Sequence, residues 1–310
     1  MHMDRRGALA LAAGSLVLPA MGYSAEPAWP RQVLKFVNPN VAGGTSDILG
    51  RMVGIPLAKA LGQPVIVDNR PGGNGNVGAA LVAQATDGHT VMVSDIPSLA
   101  ISETLYQDLP YKLDRDLQAV AMLAYSPHVF AVTADLQAHD LQGLVALSKK
   151  RRVNIALPFL GTPNHLGALE LAQRVGLSCQ FVPYKGGAQA LADTVGGTAD
   201  LVVTSVLPAI PLLQARKLRA VGISGRARSP LLPQVRTIAE QGAPGFETGS
   251  WQGVTAPRRM AETAVDRLQV ELLKIARSAD FARRLTELGA EAAPQDRREM
   301  AAFIKQESAR

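Results

Sequence analysis

Glycine, hydroxyl and amide residues gather in short segments that follow apolar runs of strand length. Residues 42–47 read AGGTSD, residues 94–98 read SDIPS and residues 161–165 read GTPNH. Glycine lets the backbone approach a bound molecule closely, and a helix that begins in such a loop presents unpaired N–H groups. Helix N-termini favour negative charge. The pattern therefore predicts an anion-binding site rather than a reaction centre.

Twelve residues of these and two similar loops are candidate ligand contacts. They are Gly43, Gly44, Thr45, Asp47, Ser94, Asp95, Gly161, Thr162, Asn164, His165, Lys185 and Ser205. For the hydroxyl residues, capping a helix or bonding a turn is an equally good interpretation. A carboxylate at Asp95 would repel an anion unless it meets an amine, a hydroxyl or water. Histidine in a first helical turn is more often structural, and most lysines face solvent.

Motifs of catalytic and metal sites are missing from the sequence. It has no GxSxG, HExxH, CxxC or phosphate-loop lysine, and its five histidines show no ligand spacing. Residues 73–78 (GNGNVG) imitate a dinucleotide fingerprint, but residues 69–72 lengthen the preceding turn too far. The sequence therefore predicts no enzyme, no cofactor and no metal. A Ser–His–Asp set scattered along the chain leaves a hydrolase open as an alternative.

Composition places the chain among ordinary globular proteins of two domains. It has 310 residues, of which 47% are hydrophobic and 19% charged, with a formal net charge of +6. The basic residues are mostly scattered and only 5% of residues are aromatic, so nucleic-acid binding is not supported. The single cysteine, Cys179, excludes an internal disulfide and is interpreted as a small core residue.

The N-terminus has the pattern of an export signal. Arg5 and Arg6 precede an apolar run over residues 7–18, and small residues follow up to residue 25. The run is too short to span a bilayer. We predict that residues 1–25 are removed in the periplasm, with cleavage between residues 22 and 26, and the arginine pair leaves the twin-arginine route open.

Strand and helix patterns alternate along the rest of the chain. Strands are predicted at residues 33–37, 64–68, 90–94, 153–156, 179–182, 201–204, 218–223 and 251–255. Helices are predicted at residues 47–60, 77–85, 164–175, 188–195 and 209–215, and the C-terminal part is predicted to be helical. Residues 117–132 are predicted to form two extended segments, broken at residues 126–127, that pass between domains. This order predicts an α/β fold with two parallel-sheet lobes, residues 26–125 plus 251–310 and residues 126–250, and a ligand cleft between them.

Several segments resemble the Bug-type periplasmic receptors of tripartite tricarboxylate transporters. They are residues 42–47, residues 67–75 (VDNRPGGNG), residues 87–90 (DGHT), residues 182–187 (VPYKGG) and residues 232–237 (LPQVRT). The resemblance extends over essentially the whole mature chain. The sequence departs from the family at Arg216, where glycine is usual, and at Asn40, where an aromatic residue is common. Because the loop of Asn40 touches the ligand in the family, the ligand is not inherited.

The resemblance implies a function as well as a fold. It implies a two-lobed fold of the type II periplasmic-binding-protein kind that traps a small organic anion, a carboxylate or an amino acid. The implied partners are the membrane permease subunits of such a transporter, and the protein is expected to be a monomer. A ligand sensor that acts on a histidine-kinase ectodomain is the alternative, because the same fold serves both functions.

Overall fold

A computed structural model describes residues 29–309 of the protein. The predicted export signal, residues 1–25, lies outside this range. Within it, no helix is long and apolar enough to cross a membrane.

Ten strands and eleven α-helices alternate along the described chain. The strands are β1 Leu34–Asn38, β2 Val65–Asn69, β3 Thr90–Asp95, β4 Leu117–Thr133, β5 Val153–Leu157, β6 Cys179–Pro183, β7 Leu201–Ser205, β8 Leu218–Ile223, β9 Gly249–Pro257 and β10 Glu291–Gln295. The helices are α1 Thr45–Leu61, α2 Asn76–Gln84, α3 Ile96–Leu105, α4 Leu113–Asp116, α5 Leu141–Ser148, α6 Pro163–Val175, α7 Gly187–Val195, α8 Val206–Gln214, α9 Glu262–Ala276, α10 Ala279–Thr286 and α11 Arg297–Ala309.

The strands form a curled mixed sheet with a parallel part at each end. The strand order is β2-β1-β3-β9-β4-β7-β5-β6, and β8 and β10 also pair with β4. β1 is parallel to β2 and β3, and β5 is parallel to β6 and β7. β4 and β9 are antiparallel to their neighbours because the chain leaves one lobe along β4 and returns along β9. We call the part with β1, β2 and β3 lobe 1 and the part with β5, β6 and β7 lobe 2.

The predicted break at residues 126–127 is wrong, because β4 runs unbroken for 17 residues. Its residues up to Pro127 pair with β9, whereas those from His128 onward pair with β7 and β8. Proline has no N–H to donate to a ladder. Pro127 lies where β4 changes partner, and the next N–H, that of His128, donates to Ser224 Oγ at 2.8 Å. The missing donor therefore does not interrupt the strand.

Each lobe has its own hydrophobic core, which makes it a firm support for the loops above it. In lobe 1, Leu49 and Val53 of α1 are fully buried in one cluster with Phe36 of β1. In lobe 2, Phe130 meets Phe246 edge-on with ring centroids 6.0 Å apart. The helices begin where the parallel strands end, so the loops of both lobes lie at the carboxyl edges of their strands.

The ends of the predicted elements agree with the structure to within a few residues, but α3, α4, α5 and β10 were not predicted. α1 continues through Pro56 to Leu61 and ends at Gly62, which has φ 69° and donates its N–H to Ala58 O at 3.0 Å. Three C-terminal helices confirm the helical prediction, but β10 lies between α10 and α11 and pairs with β4. This strand was missed because its sequence, EAAPQ, has neither alternation nor β-branched residues.

Candidate functional site

A cavity of about 70 Å³ lies between the lobes, above the carboxyl ends of the parallel strands. The first turns of five helices line it. The lining residues in or next to these turns are Gly44, Thr45 and Ser46 of α1, Asp95 and Ser98 of α3, Thr162 and Asn164 of α6, Gly187 of α7, and Ser205 and Pro208 of α8. α1 and α3 belong to lobe 1, whereas α6, α7 and α8 belong to lobe 2.

The five helix N-termini make this cavity suited to negative charge. The first-turn N–H groups of a helix have no intrahelical acceptor, and the aligned peptide dipoles leave partial positive charge at that end. A single helix end is a weak signal, but five ends from two lobes surround one small volume. An anion placed there would interact with both lobes at once.

The loop before α1 is held by Asp47 rather than by hydroxyl caps. Gly44 is the N-cap residue of α1, so Thr45 does not cap the helix. Asp47 accepts hydrogen bonds from the Gly43 N–H at 2.9 Å and from Arg51 Nε at 3.1 Å. Gly44 and Thr45 line the cavity, whereas the candidates Gly43 and Asp47 do not.

We expect the Asp47 carboxylate to stabilise the fold in a pH-dependent way. Burial alone would raise the pKa of Asp47, but the hydrogen bonds from Arg51 and the Gly43 N–H lower it below its usual value. A lowered pKa contributes stability above pH 4, and this contribution is lost as the pH falls through the folded pKa. Asp47→Asn should reduce the free energy of unfolding by about 1–2 kcal/mol at pH 7.

Urea unfolding at pH 7 and at pH 3.5 checks this expectation. The difference between Asp47→Asn and the unsubstituted protein should shrink at the lower pH. Asp135→Asn, at an exposed position, is the matched control and should change neither value. A difference that does not depend on pH would contradict the role given to the Asp47 charge.

In the loop before α6, Thr162 caps the helix, and only some of the candidate residues of this loop line the cavity. Thr162 caps α6 and accepts a bond from the His165 N–H, and Pro163 is the first helical residue. Thr162 and Asn164 line the cavity. His165 does not: its Nδ1 accepts the Gly161 N–H at 3.0 Å, and its ring packs edge-on against Phe181. Burial lowers the pKa of His165, which fits a neutral ring with a structural role.

The remaining lobe 2 candidates also divide into lining and outlying residues. Ser205 is the N-cap residue of α8, its hydroxyl does not bond the helix, and it lines the cavity. Lys185 is exposed outside the cavity lining, and its N–H donates to Gln189 Oε1 at 3.4 Å. Gly187, two residues later, takes the lining position in this loop.

A second cavity of about 30 Å³ adjoins the first on the side of lobe 1. Asn40, Asp95, Ser98, Phe159 and Thr162 line both cavities. Ser94 lines only the second, and its hydroxyl is buried without a hydrogen-bond partner. The two cavities together form the candidate site.

Asp95 is the charged group at the junction of the two cavities. Its two oxygens accept hydrogen bonds from Ser98 Oγ and from Ser250 Oγ, each at 2.7 Å. Burial raises the pKa of Asp95 to about 6, because the hydrogen bonds from Ser98 and Ser250 offset only part of the cost of a buried charge.

The structure adds a polar chain that sequence reasoning missed. Ser46 Oγ donates to Gln252 Oε1 at 2.7 Å, Gln252 Nε2 donates to Ser250 Oγ at 2.8 Å, and Ser250 Oγ donates to Asp95. All four residues line the first cavity. The available signal was the alternation in β9, where Ser250 and Gln252 point to one face of a mostly buried strand.

Other parts of the described chain offer no comparable site. No group of three or more His, Cys, Asp or Glu within residues 29–309 could hold a metal ion. A larger groove of about 770 Å³ lies beside β8 and is lined by Arg216, Arg219 and Arg236 together with Asp140. All of its lining residues belong to lobe 2, so a ligand bound there would not contact both lobes.

Comparisons with known proteins point to one family. Residues 49–310 match the family model described as "Tripartite tricarboxylate transporter family receptor". The chain is 33% identical to the "UPF0065 protein in tcbD-tcbE intergenic region" of Pseudomonas sp. (strain P51), over 100% of this chain and 93% of that protein.

Two solved structures share both the fold and part of the sequence. The structure "R. palustris Rpa4515 with adipate" superposes with a TM-score of 0.88 at 30% identity, covering 91% of this chain and 95% of that chain. The structure "MatC (Rpa3494) from Rhodopseudomonas palustris with bound malate" superposes with a TM-score of 0.83 at 30% identity, covering 90% of this chain and 97% of that chain.

Proposed function

Because the chain belongs to the tripartite tricarboxylate transporter receptor family, we propose that it is a periplasmic receptor that captures a small organic anion for uptake. Members of this family are solute-binding receptors and not enzymes. In this proposal residues 1–25 direct export and are removed, and the mature protein works as a monomer. It delivers a carboxylate or an amino acid to the membrane permease subunits of a transporter of this type.

The observation that carries the proposal is the set of five helix N-termini around one cavity. The relatives with adipate and malate bind small carboxylates, and the cavity here offers helix ends, hydroxyl groups and amide groups to an anion of that kind, with Asp95 as the charged residue of its lining. Its walls come from both lobes, residues 26–125 plus 251–310 and residues 126–250. A ligand that contacts both walls binds the closed arrangement more tightly than the open one, and this difference drives closure. The permease can then distinguish loaded from empty receptor by the shape of the protein.

Thermal unfolding of the mature protein tests the proposal. The protein is unfolded and refolded to remove bound metabolites, and is then screened against dicarboxylates, tricarboxylates, amino acids and aromatic acids. A ligand at 100 times its dissociation constant should add about 2.7 kcal/mol of stability. We expect one class of carboxylate to give this shift, with stoichiometric binding in calorimetry.

The same experiment separates the receptor from the alternatives that the sequence left open. NMR spectra of the bound compound after long incubation should show no change, whereas consumption would indicate a hydrolase. Absence of any shift over the whole panel would contradict capture of a small carboxylate. A purified histidine-kinase ectodomain that retains only the loaded protein would support the sensor instead of the transport receptor.

A further inference from the structure

The second cavity contains buried polar atoms that the protein does not pair. Asn74 Oδ1, Asn76 Nδ2 and Ser94 Oγ are buried without a hydrogen-bond partner, and all three residues line this cavity. Asn76 and Ser94 are only 7% and 2% exposed. Native proteins pair nearly all buried polar groups, since leaving one unpaired costs its hydration. Three such atoms around one cavity therefore point to a group that binds there.

The neighbouring hydrogen bonds determine what these atoms offer. Asn74 Nδ2 donates to Leu160 O at 2.9 Å, which leaves the Asn74 oxygen as an acceptor. Tyr111 OH donates to Asn76 Oδ1 at 2.7 Å, which leaves the Asn76 amide nitrogen as a donor. The Ser94 hydroxyl can donate or accept. The cavity therefore presents acceptors together with one donor.

Asp95 adds negative charge to the same place. It lines both cavities, and its oxygens are held by Ser98 and Ser250. The groups that hydrogen-bond it, on α3 and β9, are neutral, and no cation among the described residues offsets its charge. Two like charges a few ångströms apart in a partly buried site repel strongly. A carboxylate in the second cavity would lie beside this charge and has no hydrogen to donate to Asn74 Oδ1, so a group that donates hydrogen bonds fits this cavity better.

We propose that the second cavity holds the far end of the ligand, and that this end is a non-anionic hydrogen-bond donor such as a carboxamide, a hydroxyl or an ammonium group. The ligand is then a monocarboxylate with its carboxylate at the N-termini of α1, α6, α7 and α8 and its donor group beside Asp95, Asn74 and Ser94. A carboxamide or hydroxyl pairs all three unpartnered atoms, and an ammonium group pairs the acceptors. This inference rests on the proposed function and narrows it, because it excludes plain dicarboxylates as the preferred ligands.

Matched acids of equal length test the inference in the refolded mature protein. For carbon chains of three to six atoms, the dicarboxylate is compared by calorimetry with its half-amide, the ω-hydroxy acid and the ω-amino acid. We expect at least one of the three donor-ended acids to bind about tenfold or more tightly than the dicarboxylate of the same length. A dicarboxylate that binds equally or more tightly would overturn the inference while leaving the receptor function intact. If no acid of the series binds, capture of a small aliphatic carboxylate is contradicted as well.

Two variants test whether Asp95 and Ser94 cause the preference for donor-ended acids over dicarboxylates. Asp95→Asn removes the charge at nearly constant shape and should shift the ratio of affinities at least tenfold toward the dicarboxylate, with Asp135→Asn at an exposed position as control. Ser94→Ala removes an unpaired hydroxyl and should leave the melting temperature unchanged or higher, while it weakens the donor-ended acid about fivefold. If the ratio of the two affinities is unchanged in Asp95→Asn, the role given to the Asp95 charge is wrong. If that variant does not fold, the comparison of the two acids in the unsubstituted protein still tests the inference.

Discussion

Replacing Ser205 by aspartate is expected to weaken anion binding at least about 100-fold without unfolding the protein. Ser205 is the N-cap residue of α8 and lines the cavity, so the new carboxylate would lie at the five helix N-termini. Two like charges 4 Å apart repel by about 4 kcal/mol at the effective dielectric of a partly buried site. Some of this is relieved by rotation of the side chain toward solvent, which is why the expected loss is smaller than the full Coulomb value.

The fold should tolerate this substitution, because aspartate is among the best N-cap residues and its charge suits a helix N-terminus. Isothermal titration calorimetry gives the affinity, and urea unfolding gives the stability without ligand. In the control Ser205→Asn, the asparagine has the shape of the aspartate but no charge. The affinity of this variant should stay within about tenfold of that of the unsubstituted protein. Ser178→Asp, at an exposed position before β6, should bind normally. Binding by Ser205→Asp within tenfold of normal would contradict the placement of the anion.

The sequence located the loops of the site because their signals are local. A glycine or hydroxyl cluster after a strand marks a helix start within a few residues, and Thr162 capping α6 with Pro163 following is such a case. The β1–α1 and β7–α8 loops were identified on the same basis, and the polar loop after β3 was identified without the helix α3 that follows it. Both parallel parts of the sheet also follow from the alternation of strands and helices.

The sequence could not determine which residues of a loop face the cavity. Lys185 and His165 have the right chemistry, but the loops turn so that Lys185 is exposed and His165 packs on Phe181. Partners that lie far apart in sequence leave no local pattern at all. Ser46 and Gln252 are 206 residues apart, and Asp95 and Ser250 are 155 apart. Only the pairing of β3 with β9 brings the second pair together.

The role of Asn74 and Asn76 in the second cavity could not be predicted from the sequence either. They lie in the glycine-rich segment that imitates a dinucleotide fingerprint, so their sequence context suggested the wrong chemistry. The structure gives Asn74 a bond across the cleft to Leu160 O and buries Asn76 against Tyr111. Their importance comes from atoms left unpaired, which is a property of packing and is not visible in residue types.

Replacing Gly186 by alanine is expected to hold the cleft partly open and to weaken ligand binding about 10- to 100-fold. A Cβ at Gly186, just before α7 in lobe 2, would lie 2.4 Å from Val41 Cγ2 in lobe 1. Real Cβ atoms do not approach other atoms so closely, and φ at Gly186 is 157°, which side chains rarely adopt. The clash exists only when the lobes meet, so it penalises the closed arrangement and leaves the open one unaffected. Affinity falls by the fraction of molecules that can close.

A double substitution separates the clash from the backbone strain. Val41→Ala removes the atom that is struck, so Gly186→Ala with Val41→Ala should regain at least half of the lost binding free energy, and the part not regained measures strain. Gly197→Ala is the matched control, since that glycine also has a positive φ but no atom within 4 Å of the added Cβ. It should lower stability without changing affinity. Small-angle scattering should show that saturating ligand compacts Gly186→Ala less than the unsubstituted protein. If Val41→Ala restores nothing, the loss comes from the local backbone, and contact between the two lobes at this point does not control binding.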